Sequence, residues 1–438
     1  MAPAPGEAAQ HALTATEQAV LDAIDLDRII DLAARLINAG GENPGGTEAA
    51  SVAVLEAAAG ELGLETSIQP AAPDRPNILI TLPPHPAGTA AKSSAGSASA
   101  PAGAGTPSPA SPVPAAPGLM FLGHSDVVPA GPGWTRQPFH AAVDGGRLYG
   151  RGATDMKGGL AAVLGAMAAL KHSGAALTGP VTLVCTVDEE DLGLGIRALA
   201  ASALPHDYLG CIVAEPTDLE TVVGCRGDSY LELEVTGRPA HSGRPADGRN
   251  AISAAARICE LVRADHERLQ QDQDELLGAG SWNVGLIEGG QGTSVVAPSC
   301  SLSLDRRLMP DDDPERILAD LLAGVSAAGI DTDGISVSGR VSMQMPGFRT
   351  PADHPLVAAA VASVESAGGR TRIGGWTAAC DGGFVVRDFG IPAIVLGPGG
   401  LNDQAHQADE SVSLDELSIA ARTYALLCLR TLSPNTIG

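Results

Sequence analysis

Basic side chains are scarce in this sequence, and so are aromatics. Lys and Arg number 27 against 51 Asp and Glu, a formal net charge of −24 at pH 7, and Phe, Trp and Tyr make up 3%. Such a chain has no electrostatic footprint for nucleic acid or for an anionic membrane surface, which both require basic patches. Long apolar runs are missing too. No stretch of about 18 apolar residues free of breaks and charges occurs, so no membrane-spanning helix is expected. The N-terminus, MAPAPGEAAQHALTATEQ, lacks the basic and apolar regions of a signal peptide, and a cytoplasmic protein is the expectation. The seven cysteines, Cys185, Cys211, Cys225, Cys259, Cys300, Cys380 and Cys428, are odd in number and widely spaced, with no CxxC. This argues against a disulfide framework and a thiolate zinc site. Several lie inside apolar runs and read as inert core residues.

Apolar residues are plentiful: 44% of 438, much of it Ala. That length suits more than one domain at ~100–200 residues each. Residues 17–38 and 47–63 carry apolar side chains at helical spacing, with the turn GGENPGG between them. NILITL, at 77–82, reads as a strand. From Pro83 to Gly118 the chain is almost wholly Ala, Pro, Gly, Ser and Thr. Such a tract buries too little apolar area to offset its ordering entropy, and a disordered loop is expected. GLMFLG follows at once and is expected to pair with NILITL as a hairpin. GGLAAVLGAMAALKHSG then reads as a helix, VTLVCTV as a strand, GIRALAAS as a helix and CIVAEP as a strand. The alternation predicts an α/β sheet with ligands at the strand ends.

A different pattern starts near Arg226. DSYLELEVTG alternates with period two, NAISAAARICELVRADHERLQ is helical, and SWNVGLIEGG and CSLSLDRR are strand-like. PERILADLLAGVSAAG is again helical and ISVSGRVSMQM a strand, completing the β-α-β-β-α-β order of a ferredoxin-like unit. From about Met345 the α/β alternation returns. The expectation is a larger domain split into residues 1–225 and 345–438 by a smaller one inserted at 226–344.

The chemistry-bearing residues fall at strand ends. GLMFLGHSDVVP puts His124 and Asp126 just past a strand, two apart and so on one face of an extended chain. Asp126 is placed to hold the His124 ring and fix its tautomer, as metal-bound histidines usually require. Alone, His124 is a satisfied residue in a turn. Asp155, between glycines and ahead of a helix in GRGATDMKGG, is alone an N-cap. In VCTVDEEDLG an apolar strand runs into Asp188, Glu189, Glu190 and Asp191, which alone is a solvated loop. CIVAEPTD sets Glu215 at a strand end, and GGLNDQAHQADE sets His406 in a loop after an apolar strand. Together, two His and several carboxylates converge on one edge of one sheet. That suits a two-metal hydrolytic centre with N and O ligands and no thiolate. Metal ions would neutralise Glu190 as a ligand and leave Glu189 to act on metal-bound water.

HSDVVP, GRGATDMKGG, VDEED, AEPT, GRPAHSGRP and AHQADE, in this order, resemble the M20 metallopeptidase family. The closest likeness is to its branch of acetylornithine deacetylases and succinyl-diaminopimelate desuccinylases. It covers nearly the whole chain apart from the Ala/Pro/Ser tract and the first residues. The resemblance implies a zinc-peptidase-like catalytic domain, a central mixed sheet with helices on both faces, plus an inserted ferredoxin-like α+β dimerisation domain. It implies that His124 and Glu215 bind one metal ion, that His406 and Glu190 bind the other, and that Asp155 bridges them. Asp126 would orient His124, and Glu189 would be the general base. His241, in the inserted domain, would reach the active site of the partner subunit of a homodimer and hold the scissile carbonyl. Arg307, in LDRRLMP, matches a position that often contacts a substrate carboxylate, and an ion pair with Asp305 or another acid explains it nearly as well. Zinc is the default for two ions in such a site, with cobalt or manganese fitting the same ligands.

The reaction implied is hydrolysis of the amide of a small N-acyl amino acid or related carboxylated amide. A water shared by the two ions would attack, and Glu189 would pass its proton to the leaving amine. An exopeptidase of the same family, dipeptidase or carboxypeptidase, is the alternative. A non-catalytic small-molecule-binding relative is a remoter one, disfavoured because Glu189 and every ligand are present. Two departures leave the substrate open: Ser294 in SVVAPSC, where the family often has Asn, and Cys380–Asp381 where a Thr–Asp-like pair is usual. Other motifs are weaker. Residues 193–198 fit a GxGxxA dinucleotide fingerprint, but the adjacent acids would repel a pyrophosphate. GHSDV resembles a nucleophile elbow with Ser125, but Val127 replaces the second glycine. Asp311, Asp312, Asp313 and the segment DTDG lack calcium-loop spacing and read as capping and turn acids.

Overall fold

The computed structural model of the chain describes residues 12–45, 48–85 and 116–434. Most of the tract expected to be a disordered loop, residues 86–115, lies outside them. Among the described residues the largest sheet has nine strands. Across it run Glu65–Ala72, Arg75–Leu82, Val181–Thr186, Gly118–His124, Tyr208–Val213, Ala393–Val395, Thr221–Cys225 and Phe348–Arg349, with Ile373–Trp376 beside Thr221–Cys225. Val181–Thr186, Gly118–His124, Tyr208–Val213 and Ala393–Val395 run parallel to one another, so their carboxyl ends lie at one edge. Strands buried on both faces carry unbroken apolar runs, which is why GLMFLG and VTLVCT show no alternation. One face is covered by Leu26–Asn38, Ala49–Leu62, Gly158–Ser173, Pro355–Ser366 and Leu414–Leu432, the other by Leu194–Ala200 and Gly382–Phe389.

The helical spacing of residues 17–38 is divided between two helices, Ala15–Asp22 and Leu26–Asn38. Asp25 leaves the helical region and caps the second, accepting a hydrogen bond from the Arg28 amide at 3.1 Å. The expected hairpin of NILITL with GLMFLG is absent. Val181–Thr186 lies between them, antiparallel to Arg75–Leu82 and parallel to Gly118–His124. A fully apolar strand needs neighbours on both edges, and the helix Gly158–Ser173 supplies the crossover that parallel pairing requires.

Residues 227–345 build a separate antiparallel sheet in the order Ser281–Gly289, Ser299–Leu308, Gly227–Thr236, Ser336–Met345. The helices Ala251–Leu269 and Pro314–Ala327 pack on the face formed by Leu231, Leu233, Val235, Leu302 and Leu304. This is the ferredoxin-like arrangement inserted into an α/β unit. Ser281–Gly289 is an edge strand, and Leu286 and Ile287 on it are 61% and 51% exposed.

Candidate metal centre

The parallel strands deliver their following residues to one place. His124 ends one strand; Glu189 and Glu190 follow the next; Glu215 follows Val213; His406 lies on the loop after Ala393–Val395. Asp155 comes from the irregular turn 153–157 ahead of the helix Gly158–Ser173, with non-helical dihedrals, so it is not an N-cap. His124 Nε2 lies 3.2 Å from Asp155 Oδ1 and 3.3 Å from Glu215 Oε1. His406 Nε2 lies 3.3 Å from Asp155 Oδ2 and 3.2 Å from Glu190 Oε2. Each oxygen of Asp155 therefore faces a different His–Glu pair. Within each of the groups His124–Asp155–Glu215 and Asp155–Glu190–His406, the candidate ligand atoms all lie within 4.8 Å of one another.

Burial sets the electrostatics. It pushes the Glu215 carboxyl up to about 8, helped by the neighbouring Asp155 charge. Burial raises Glu190 as well, again with Asp155 contributing, and it raises Glu189 well above the usual carboxylate range. Asp155 goes the other way: burial opposes ionisation, but hydrogen bonds with His124 and His406 hold it low. Hydrogen bonding to Asp155 and Glu190 lifts His406 to about 10. Burial works against a charged His124, yet Glu215, Asp126 and Asp155 raise it well above its usual value.

The residues fit a pair of divalent cations. The donors are imidazole nitrogens and carboxylate oxygens, the set that zinc, cobalt and manganese accept. Glu215 Oε2 is buried with no hydrogen-bond partner. Three carboxylates, those of Asp155, Glu190 and Glu215, face the two imidazoles, and their burial calls for protons or cations to balance them.

Asp126 is buried, and its backbone carbonyl, 3.0 Å from His124 Nδ1, is closer to the ring than its carboxylate at 3.5 Å. The carboxylate accepts instead from the amides of Glu189 and Glu190 at 3.3 and 3.2 Å and from Asn43 Nδ2 at 3.1 Å. The same Asn43 nitrogen donates to Asp188 Oδ1 at 2.7 Å. Asp188 also pairs with Arg75 at 2.6 Å and accepts from the amides of Leu192 and Leu194, while Arg75 bonds Glu48. The first acid of the DEED run thus closes the turn that presents the next two. Asn43, Arg75 and Glu48 carry no motif; the buried polar side chain is their signal, and burial is not visible in a sequence. Glu410 of AHQADE, also buried, bonds the turn of Asp155 and was legible only as part of that motif.

Two expected residues are not drawn in. His241 is exposed on the inserted unit, and its ring accepts from the Gly243 amide. Arg307 is held by Asp228 at 3.3 Å and Asp305 at 3.1 Å, the ion-pair alternative to a substrate clamp. Ser125 is fully buried with its hydroxyl on the Thr186 carbonyl, which removes it as a nucleophile. Asp313 caps the helix Pro314–Ala327, as a structural acid does. Cys185, Cys211, Cys225, Cys300, Cys380 and Cys428 are buried, and Cys259 is partly so.

The family model described as peptidase family M20/M25/M40 matches residues 120–430. The chain belongs to this family. Two curated M20 relatives are acetylornithine deacetylases. The one from Edwardsiella ictaluri (strain 93-146) is 32% identical over 314 residues, 68% of this chain and 76% of that protein. The one from Yersinia pseudotuberculosis serotype O:1b (strain IP 31758) is 32% identical over 310 residues, 68% and 75% of the two chains. Among solved structures, an M20 family metallo-carboxypeptidase from Sulfolobus solfataricus superposes with TM-score 0.70 at 21% identity, over 92% of this chain and 98% of that one. A dinuclear metal-binding M20 peptidase from Bacillus subtilis gives 0.66 at 15% identity, over 93% and 98%. This M20 protein is accordingly a metallohydrolase acting on amide bonds.

Proposed function

We propose that this M20 protein releases the amine from a small N-acyl amino acid or a related carboxylated amide, using two divalent ions. The observation that carries the reading is Asp155, with one oxygen toward each His–Glu pair. In this reading His124 and Glu215 would hold one ion and His406 and Glu190 the other, with Asp155 available to both and zinc the default. Two such ions, when bound, polarise an amide carbonyl and bring the pKa of water toward neutrality.

Glu189 precedes Glu190 in the same turn, and the charges of His124, Glu215 and Glu190 act on its carboxyl. It takes a proton from the attacking water and returns it to the amide nitrogen, which cannot leave as an anion. Burial raises its pKa, and cations nearby would oppose that rise. A group balanced in this way can accept a proton in one step and donate it in the next. Asp126 fixes the amides of Glu189 and Glu190 and, through its carbonyl, the tautomer of His124.

The catalytic unit in this proposal is 1–225 with 345–438, and 226–344 forms the dimerisation unit. The exposed apolar edge Ser281–Gly289 supports a homodimer that buries it. His241 then comes from the partner copy to stabilise the developing oxyanion. The engagement of Arg307 by two acids favours the ion pair over a substrate clamp. The 32% identity to acetylornithine deacetylases favours deacylation over peptide cleavage.

The test is primary-amine release by zinc- or cobalt-loaded protein from N-acetyl-ornithine, other N-acyl amino acids, N-succinyl-diaminopimelate and simple dipeptides. Turnover of an N-acyl amino acid, lost with chelator and restored by metal, is the expected result. Cleavage confined to dipeptides would move the reading to an exopeptidase. No turnover of any substrate by protein that binds both ions would overturn it.

A further inference from the structure

Glu410 lies four residues after His406 and is 1% exposed. A buried carboxylate must be compensated, and all four contacts made to this one come from a single segment. Oε2 accepts from Arg151 Nη1 at 2.6 Å and from the Gly152 amide at 3.0 Å. Oε1 accepts from the Thr154 amide at 2.8 Å and the Asp155 amide at 3.0 Å. A fifth bond has the same sense: the Gly150 amide donates to the Glu410 backbone carbonyl at 2.9 Å. The turn needs this support, because Asp155 and Met156 have non-helical dihedrals and the helix ladder is interrupted there.

The other end of the connection is the His406 loop. His406 and Asp409 both sit at positive φ, +62° and +55°, a conformation uncommon for residues other than glycine. Asp409 is tied to the Thr135 and Arg136 amides, and Gln404 Oε1 accepts from both the amide and the hydroxyl of Ser411. Glu410 is thus the point at which the loop bearing His406 is fastened to the turn bearing Asp155. A plain buried ion pair with Arg151 would leave the backbone amides out, yet they make three of the four contacts.

We propose that Glu410 is a positioning residue that sets His406 and Asp155 relative to each other, so that one metal group is assembled before any ion arrives. The consequence for metal rests on the reading of Asp155 as a shared ligand; the clamp itself does not. A glutamine at 410 preserves shape but carries an NH₂ where one oxygen stood. It can accept from one pair of donors only and meets the other with hydrogens.

The experiment compares wild type, Glu410→Gln and Glu410→Asp by amide hydrogen exchange of the metal-free chains and by cobalt titration followed by visible absorption and calorimetry. In the metal-free wild type the amides of Gly152, Thr154 and Asp155 are expected to be protected. In Glu410→Gln their exchange rises roughly tenfold or more, as loss of hydrogen bonds to a charged acceptor implies. The more weakly held cobalt equivalent loses about 10- to 100-fold in affinity, the usual cost of removing an outer partner of a ligand. Glu410→Asp, which keeps the charge on a shorter arm, recovers part of both. Unchanged cobalt affinity in a folded Glu410→Gln would overturn the proposal and leave a structural ion pair. Should neither variant fold, the wild-type exchange decides: unprotected amides at 152, 154 and 155 would sink the clamp. A wild type that binds no cobalt while those amides are protected would overturn the metal-centre reading and keep the clamp.

Discussion

Two oxygens of one side chain organise the site. Asp155 stays ionised because two imidazoles face it, and those imidazoles stay protonated in the metal-free chain because carboxylates face them. Metal and proton compete for the same atoms. His406 is raised from a usual 6.5 to about 10. Its protonated form therefore adds stability that is complete below about pH 6.5 and is lost as pH rises through about 10. Glu215, at about 8, also holds a proton at neutral pH. Metal binding at pH 7 is expected to release protons, with the release shrinking and the affinity growing as pH rises toward 10. Calorimetry in buffers of different ionisation enthalpy measures this. Proton release that does not vary with pH would contradict it. At the neighbouring Glu189, substitution by Gln removes the proposed proton carrier but none of the proposed ligands. Turnover should fall by about 10²- to 10⁴-fold, with both metal ions still bound by elemental analysis. Unchanged turnover would exclude the role.

The elements explain why these residues meet. Parallel strands place their carboxyl ends together, so residues distant in sequence gather without any local contact between them. Glycine makes the approach possible: a Cβ on Gly159, in the first turn of the helix Gly158–Ser173, would collide with the Ala214 carbonyl next to Glu215. Gly159→Ala is expected to cost ~1–3 kcal/mol of stability through overpacking, and to weaken metal binding because it shifts the strand end that bears Glu215. Thermal denaturation with metal titration checks both. A variant as stable and as metal-competent as the parent would show that the strand end yields freely. The longer helices were legible from their helical spacing and the central strands from unbroken apolar runs, whereas Glu65–Ala72, Thr221–Cys225 and Ile373–Trp376 were not read from the sequence. Strand neighbours were less legible. NILITL and GLMFLG are both apolar and close in sequence, and nothing in either states that VTLVCT lies between them.

At the scale of the molecule, the inserted sheet leaves Ser281–Gly289 open at one edge with Leu286 and Ile287 exposed. If the proposed homodimer forms through this edge, Leu286→Lys with Ile287→Lys is expected to leave a monomer in sedimentation velocity where the parent is a dimer, and to abolish turnover. A monomer that remains fully active would remove His241 from the mechanism. A sharper test mixes two inactive chains, His241→Ala and Glu189→Ala. If His241 acts in the partner's site, mixed dimers regain part of the activity, and if it acts within its own chain they do not.

The sequence alone determined the family, the α/β alternation with its ferredoxin-like insertion, and the residue types at each strand end, because apolar periodicity and motif spacing are local properties of a chain. Tertiary structure decided which oxygen of Asp155 faces which histidine, that the Asp126 carbonyl rather than its carboxylate is nearer His124, that Arg307 is engaged by Asp228 and Asp305, and that Asn43 and Glu410 hold the site from outside it. Those are facts of distance and burial between segments remote in sequence, and they arise only when the sheet brings the segments together.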